Sequence, residues 1–380
     1  MLCKIWHIIQ IIYIFQYLLS VIDMNRKKIN FILYDCPKSP NGGTKVIYEY
    51  AQYLARKAYD VCIYYNWAYS RYKLPLRIRK AIINAVVNYW PTWFDLDKSI
   101  KRKNVYEIKD NEIRDADIVI ATDIRTAIPV SGLDNQKGKK FYFIQGYENW
   151  DHSDNYVNST YALGMQNIVV AKWLKEIADR YSNTPAVLIS NSINLDVFYP
   201  QNIERSLHTV TFHYRSDSFK GCKYAIEAIQ SLKLIYEDLG VIVVGREVRP
   251  KELPSFFMYK QNASPEEVAK INNLSTVFIC SSIVEGFGLP GLEAMACGSV
   301  LVSTSYEGVL EYAEDGVNAL LSPVKDTESL KNNVIKVFED EELRNKLQSN
   351  GIRTAKQRSI ELSCRLFEDT IFGKREKYGL

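Results

Sequence analysis

The chain has 380 residues, 47% hydrophobic and 24% charged, with a formal net charge of +4. That length predicts two folded domains rather than one core, and the composition excludes a disordered chain. The small charge argues against nucleic-acid binding. Seven scattered cysteines with no CxxC pair, and four histidines without HxxxH or HExxH spacing, argue against a disulfide framework, structural zinc and a histidine-held metal, and fit a reducing compartment.

In chain order, the first element is apolar. Residues 5–23 (IWHIIQIIYIFQYLLSVID) have about the length of a membrane span, but His7, Gln10 and Gln16 interrupt them and NRKK comes next. Three readings of residues 1–24 stand side by side: a translation start placed upstream of the natural one at Met24, a membrane anchor, or a packed helix. No small-residue cleavage site stands out. As an anchor, the basic residues 26–28 would hold the adjoining domain on the cytoplasmic side.

From Met24 onward, short β-rich runs alternate with helical segments. INFILY precedes a Pro/Gly turn and the helix KVIYEYAQYLARKA, and DVCIYY, ADIVIAT, KFYFIQ, NIVVA and AVLIS come after it. Such alternation predicts a parallel sheet covered on both faces. Residues 189–208 lose periodicity and read as an interdomain linker. The pattern restarts with TVTFHY, the helix CKYAIEAIQSLKLIYE, VIVVG, STVFICSS, a helix after Pro290, SVLVST and NALLSP; residues 326–377 read as charged helices. The boundaries expected are 25–195 for the first Rossmann-like domain, 196–355 for the second and 356–380 for a closing helix.

Ligands of open parallel sheets bind beyond the carboxyl ends of the strands, so residues in strand-to-helix turns carry the most information. Gly42 and Gly43 come after the first strand, where glycine permits close backbone approach and positive φ, and Thr44 is a candidate helix cap. Residues 67–103 carry Arg71, Lys73, Arg77, Arg79, Lys80, Lys98, Lys101, Arg102 and Lys103 beside Trp90, Trp93 and Phe94. That mixture suits contact with an anionic membrane surface, or else a core-facing helix with a solvated charged face. Gln145 ends KFYFIQ and offers one hydrogen bond; His152 reads as an exposed loop residue. Arg215 and Lys220 lie in the loop after TVTFHY.

The stretch SSIVEGFGLPGLEAMACG sets Glu285 in a loop and Glu293 in the expected first helical turn, around Gly286, Phe287, Gly288 and Leu289. Proline suits the start of a helix, and the amides of residues 287–289 form an anion site at its positive end. Carboxylates accept from hydroxyls. A metal, a phosphate, a sugar hydroxyl or plain helix capping each explains one part, and a ligand carrying phosphate and sugar together satisfies all of it.

The spacing E-x7-E with GLEAMACG resembles the signature of glycosyltransferase family 4, retaining nucleotide-sugar-dependent enzymes of GT-B fold. The resemblance runs from about Lys28 to Arg375. It implies an α/β chain of two Rossmann-like, doubly wound parallel-sheet domains facing a central cleft, with the last helix crossing back to the first domain. It also implies that Glu285 holds the donor sugar's hydroxyls and Glu293 those of the ribose. The amides around Gly286, Phe287, Gly288 and Leu289 would meet the diphosphate, which Arg215 and Lys220 clamp, while Gly42 and Gly43 face donor phosphate and acceptor. Glu285, Arg215 and Lys220 would carry catalysis, with no metal and no cofactor beyond the nucleoside diphosphate sugar. Gln145 stands where relatives often have histidine, and YFIQGYE resembles a rhamnosyltransferase-like branch. NSINLDVFYP resembles the family hinge, with Ser192 and Asn194 in place of the usual Gly and Asp, and Glu311 is expected to shape a turn.

The expected activity is transfer of a hexosyl or deoxyhexosyl group to a glycan or lipid-linked acceptor at the cytoplasmic face of the cell membrane, for cell-surface polysaccharide. A GT-B-like nucleotide-sugar epimerase and a catalytically silent assembly subunit are the rival readings.

Overall fold

A computed structural model describes residues 26–37, 40–66, 78 and 91–374. The apolar stretch before Met24 and most of the basic, aromatic segment proposed for membrane contact lie outside these residues. Among the described residues no helix is long and apolar enough to cross a membrane. They form two compact units, one chiefly of residues 26–36, 47–66 and 95–142, the other of residues 40–46, 92–94 and 143–374.

The first sheet contains β1 (Lys28–Leu33), β2 (Asp60–Asn66), β3 (Lys101–Val105), β4 (Ile118–Ala121), β5 (Lys139–Ile144), β6 (Gln166–Val169) and β7 (Val187–Leu188), in the order β3-β2-β1-β4-β5-β6-β7. Between them run α1 (Gly42–Arg56), α2 (Ile124–Ser131), α3 (Asp154–Tyr161) and α4 (Lys172–Tyr181). β2 is buried along its whole length, as a parallel strand with both faces covered must be.

A polar knot ties the sheet's edge together within the first unit. Arg114 donates from Nη1 to Asp60 Oδ2 (2.8 Å), from Nη2 to the Asp60 carbonyl (2.6 Å) and from Nε to Asn30 Oδ1 (2.9 Å). Lys101 Nζ adds a contact of 3.0 Å to Asp60 Oδ2. Burial alone would raise the Asp60 carboxyl, but the hydrogen bonds from Arg114 and Lys101 outweigh it and hold the group below its ordinary range.

The second sheet lies in the second unit: β8 (Thr209–Tyr214), β9 (Gly240–Gly245), β10 (Met258–Gln261), β11 (Val277–Cys280), β12 (Val300–Thr304) and β13 (Ala319–Ser322), all paired parallel in the order β10-β9-β8-β11-β12-β13. Chain order reverses between β8 and β11, so their carboxyl ends form the crevice where doubly wound sheets take ligands. Helices α5 (Cys222–Lys233), α6 (Pro265–Leu274), α7 (Leu289–Ala296), α8 (Thr327–Glu339) and α9 (Glu341–Lys356) accompany it. On α5 the buried residues Cys222, Ala225, Ile226, Ala228, Ile229 and Leu232 recur at helical spacing, and they join Leu330, Val334 and Val337 of α8 in one apolar core with β8 and β9.

α10 (Ile360–Ile371) comes last, with Ser363 Oγ donating to the Ser190 carbonyl (3.0 Å) and Phe367 edge-on to Phe143 at 5.9 Å. The stretch read as a linker is irregular but firmly anchored. Phe198 is 1% exposed, the Gln201 amide donates to Asn273 Oδ1 (2.7 Å), and Arg205 donates to the carbonyls of Asn273, Cys297 and Gly298.

Removing Asp60 leaves Arg114 buried without its carboxylate, so Asp60→Ala is expected to cost about 3 kcal/mol at pH 7 in urea unfolding. Because the native pKa is depressed, this contribution is whole above about pH 4 and fades as pH falls through the native value. The gap between wild type and Asp60→Ala should therefore narrow in acid.

Candidate functional site

The loops after β8 and β11 approach closely enough that their backbones bond directly, the Ile283 amide donating to the Phe219 carbonyl at 2.7 Å. Gly221, at φ +58°, begins α5, and a Cβ there would lie 2.1 Å from the Ser281 carbonyl oxygen. Only glycine permits this contact. It holds the turn of Ser218–Lys220 against the second loop, where Lys220 Nζ meets Glu285 Oε2 at 3.0 Å; the two side chains are 26% and 13% exposed. The other carboxylate oxygen of Glu285 accepts from Ser282 Oγ.

Gly288 caps α7 at φ +89°, and a Cβ there would fall 2.0 Å from Tyr306 Oη. Tyr312 Oη donates to the Gly288 carbonyl (2.6 Å), and Trp173 Nε1 donates to that of Gly286 (3.1 Å). Phe287 is buried against the Tyr312 ring, 5.3 Å away. The amides of Phe287, Gly288 and Leu289 donate to no group among the described residues. They are the orphan donors of a helix start, with its positive partial charge behind them.

Glu293 departs from expectation: it lies in the second turn of α7, not the first, and is buried. Its Oε1 meets Lys45 Nζ at 2.9 Å. Lys45 belongs to α1, whose first turn holds no acidic residue. A cation at a positive helix end is unfavourable by itself and calls for an outside partner, a signal present in the sequence but not read from it. A lysine thus stands against each carboxylate.

Gly42 and Gly43 open α1, and neither takes the positive φ anticipated. Asn41, not Thr44, caps the helix, its Oδ1 accepting from the Thr44 amide at 3.2 Å. Gly43 supplies close approach: its carbonyl accepts from Gln145 Nε2 (3.0 Å), and a Cβ would stand 3.2 Å from that nitrogen. Gln145 Oε1 is sealed from solvent without a partner among the described residues. At Gly286 a Cβ would lie 1.9 Å from the Gln145 carbonyl oxygen, so these three positions brace one another. His152 stacks on Tyr156 at 4.6 Å, and Glu311 Oε1 accepts from the Lys172 amide at 2.5 Å.

Arg215 directly follows β8. Burial lowers its pKa, while Glu247, Asp217 and Glu285 oppose the shift. Arg246, absent from the sequence-based set, directly follows β9 and is pulled down to about 10 by burial and then by the charge of Arg215. Beneath them His213 is held neutral, burial and the cations Arg215 and Lys220 taking its pKa to about 3.

This arrangement concentrates four cations, two carboxylates and three unpaired amides around the reversal point of the second sheet. Its amides and cations suit a polyanion, and its carboxylates suit hydroxyls beside it.

Residues 201–354, less than half of the chain, match the family model described as glycosyl transferases group 1. An uncharacterized glycosyltransferase of Methanocaldococcus jannaschii is 27% identical over 221 residues, 56% of this chain and 58% of that protein. The N,N'-diacetylbacillosaminyl-diphospho-undecaprenol alpha-1,3-N-acetylgalactosaminyltransferase of Campylobacter jejuni is 29% identical over 224 residues, 54% of this chain and 56% of that protein. The chain thus spans somewhat more than half the length of these curated relatives. The crystal structure of Anabaena HepE in complex with UDP and glucose superposes with a TM-score of 0.70 at 14% identity, over 92% of this chain and all of that one. The fold is that of the GT-B proteins, with two Rossmann-like parallel sheets.

Gly288→Ala forces a side chain into positive φ and onto Tyr306 Oη, whereas at Gly316 (φ +68°) a Cβ meets nothing within 4 Å. Thermal unfolding should show Gly316→Ala losing about 1–2 kcal/mol and Gly288→Ala clearly more. Equal losses would mean that the Gly288–Tyr306 contact is not close.

Proposed function

We propose that the chain is a nucleotide-sugar-dependent glycosyltransferase, moving a hexosyl or deoxyhexosyl group to a glycan or lipid-linked acceptor with retention of configuration, at the cytoplasmic face of the cell membrane. One observation carries the reading: at the reversal point of the second sheet, the unpaired amides of residues 287–289 stand with Lys220 and Glu285 in direct contact and Arg215 at the adjoining strand end. The family match over residues 201–354 and the likeness to a UDP-bound structure support it.

In this reading the donor's diphosphate lies on the amides, with Arg215 and Lys220 as its counter-charges. Glu285, released from Lys220, accepts from sugar hydroxyls, and Glu293 accepts from the ribose. The bond between the anomeric carbon and the diphosphate oxygen breaks, and a bond from the acceptor oxygen forms on the same face. The acceptor's proton passes to the leaving diphosphate. Negative charge accumulates on that leaving group, so fixed cations stabilise the transition state more than the bound donor. Gln145, with one hydrogen bond to Gly43 and an unused acceptor, supplies a contact to a sugar hydroxyl.

The test begins with a panel of UDP-, GDP- and dTDP-linked hexoses and deoxyhexoses, monitored for hydrolysis and transfer. Against the productive donor, Arg215→Ala should reduce kcat more than donor affinity. Glu293→Gln should weaken donor binding by about 1–3 kcal/mol. Binding without turnover across the panel would instead indicate a silent nucleotide-sugar-binding subunit. Interconversion of the nucleotide sugar without transfer would indicate an epimerase.

A further inference from the structure

Arg246 has no role in the transfer scheme, yet its position is as specific as that of Arg215. Tyr214 and Gly245 are the last registered pair of β8 and β9, so Arg215 and Arg246 leave adjacent parallel strands side by side, next to the reversal point of the sheet. Both are half-buried. Other partly buried arginines of this unit spend their guanidinium groups on main-chain carbonyls: Arg344 on Val337 (2.9 Å) and Arg358 on Glu311 (2.5 Å). Among the described residues, the side chains of Arg215 and Arg246 donate to nothing and form no ion pair within 4 Å. Among the described residues, Arg246 Nε is sealed from solvent with no partner, and so is His213 Nε2, two residues before Arg215.

The nearby acids do not fill this need. Glu285 is engaged by Lys220 and Ser282, Glu247 accepts from Ser216 Oγ at 2.9 Å, and Asp217 is exposed. Two like charges held side by side and partly out of water, without carboxylate contacts, call for a bound anion with more than one charge.

We propose that Arg246 is a further ligand-binding residue, which joins Arg215 in gripping a diphosphate and so makes the site select nucleoside diphosphates over monophosphates. The proposal rests on the nucleotide-sugar reading and adds to it the residue that counts phosphate charge. A planar guanidinium spans two phosphate oxygens, which one lysine ammonium does not.

Calorimetry with UDP, GDP and dTDP and their monophosphates, on wild type, Arg246→Gln and Arg246→Lys, tests it. For whichever diphosphate binds, Arg246→Gln should weaken affinity at least tenfold and the matching monophosphate less than threefold, with Arg246→Lys between wild type and Arg246→Gln. Equal weakening of diphosphate and monophosphate, or none, overturns the role of Arg246 while leaving the nucleotide reading intact. Failure of wild type to bind any of the diphosphates overturns both. Wild-type protein gives an independent readout: phenylglyoxal labelling of Arg246, read by mass spectrometry, should be blocked by the diphosphate and not by the monophosphate. Labelling unaffected by the diphosphate contradicts the proposal.

Discussion

Two backbones meeting without side chains between them set the geometry of the candidate site. Gly221 lies against the Ser281 carbonyl, and the Ile283 amide bonds to the Phe219 carbonyl, so the loops after β8 and β11 are joined backbone to backbone. The loop after β8 presents Arg215 and Lys220, and the loop after β11 presents Glu285 and the amides of α7. Were Gly221 any other residue, the loops would part and the contact between Lys220 and Glu285 would lengthen. Placement of the charges is thus a consequence of a steric fact about the main chain.

The charges compensate one another before any ligand arrives. Lys220 faces Glu285 and Lys45 faces Glu293, each pair within 3.0 Å and each largely shielded. Such pairing lowers the cost of keeping ions half out of water, although it contributes little net stability. In the function proposed above, its consequence is an exchange: a diphosphate takes the lysine, and the freed carboxylate takes a hydroxyl. Since the incoming anion carries more charge than the carboxylate it replaces, the exchange favours diphosphate over neutral sugars. The amides of Phe287, Gly288 and Leu289, with no partner to release, add to the binding without an opposing cost of this kind.

Central strands and their turns were legible in the sequence because they carry the strongest patterns. INFILY, DVCIYY, VIVVG and SVLVST are buried runs, and the glycine-rich turn before Pro290 announces a helix start. Two of the edge strands, β3 and β10, were not legible, whereas β7 and β13 were read as AVLIS and NALLSP. β3 reads KRKNV and β10 reads MYKQ, each with a neighbour on one side only, and an edge that must avoid further pairing carries charge instead of apolar side chains. Helix α6 was overlooked although Ser264 and Glu267 form a capping box ahead of it. Of the candidate site, Arg215, Lys220, Glu285 and residues 286–289 are brought together by the sheet's reversal point, a feature of topology that motif spacing tracks. Arg246 was missed because what marks it is Arg215 on the neighbouring strand, and Lys45 because the cation at the start of α1, its one local signal, does not by itself name Glu293 as the partner. Thr44 was misjudged as the cap because the helix already starts at Gly42, which puts Asn41 at the cap position with its Oδ1 on the Thr44 amide.

The exchange of partners at Lys220 is the claim on which the functional account turns. A crystal structure of the full chain with a bound nucleoside diphosphate examines it directly. The account predicts the diphosphate on the amides of Phe287, Gly288 and Leu289, with Lys220 Nζ moved from Glu285 to a phosphate oxygen. A nucleotide bound elsewhere, with the Lys220–Glu285 pair still closed at 3.0 Å, would contradict it.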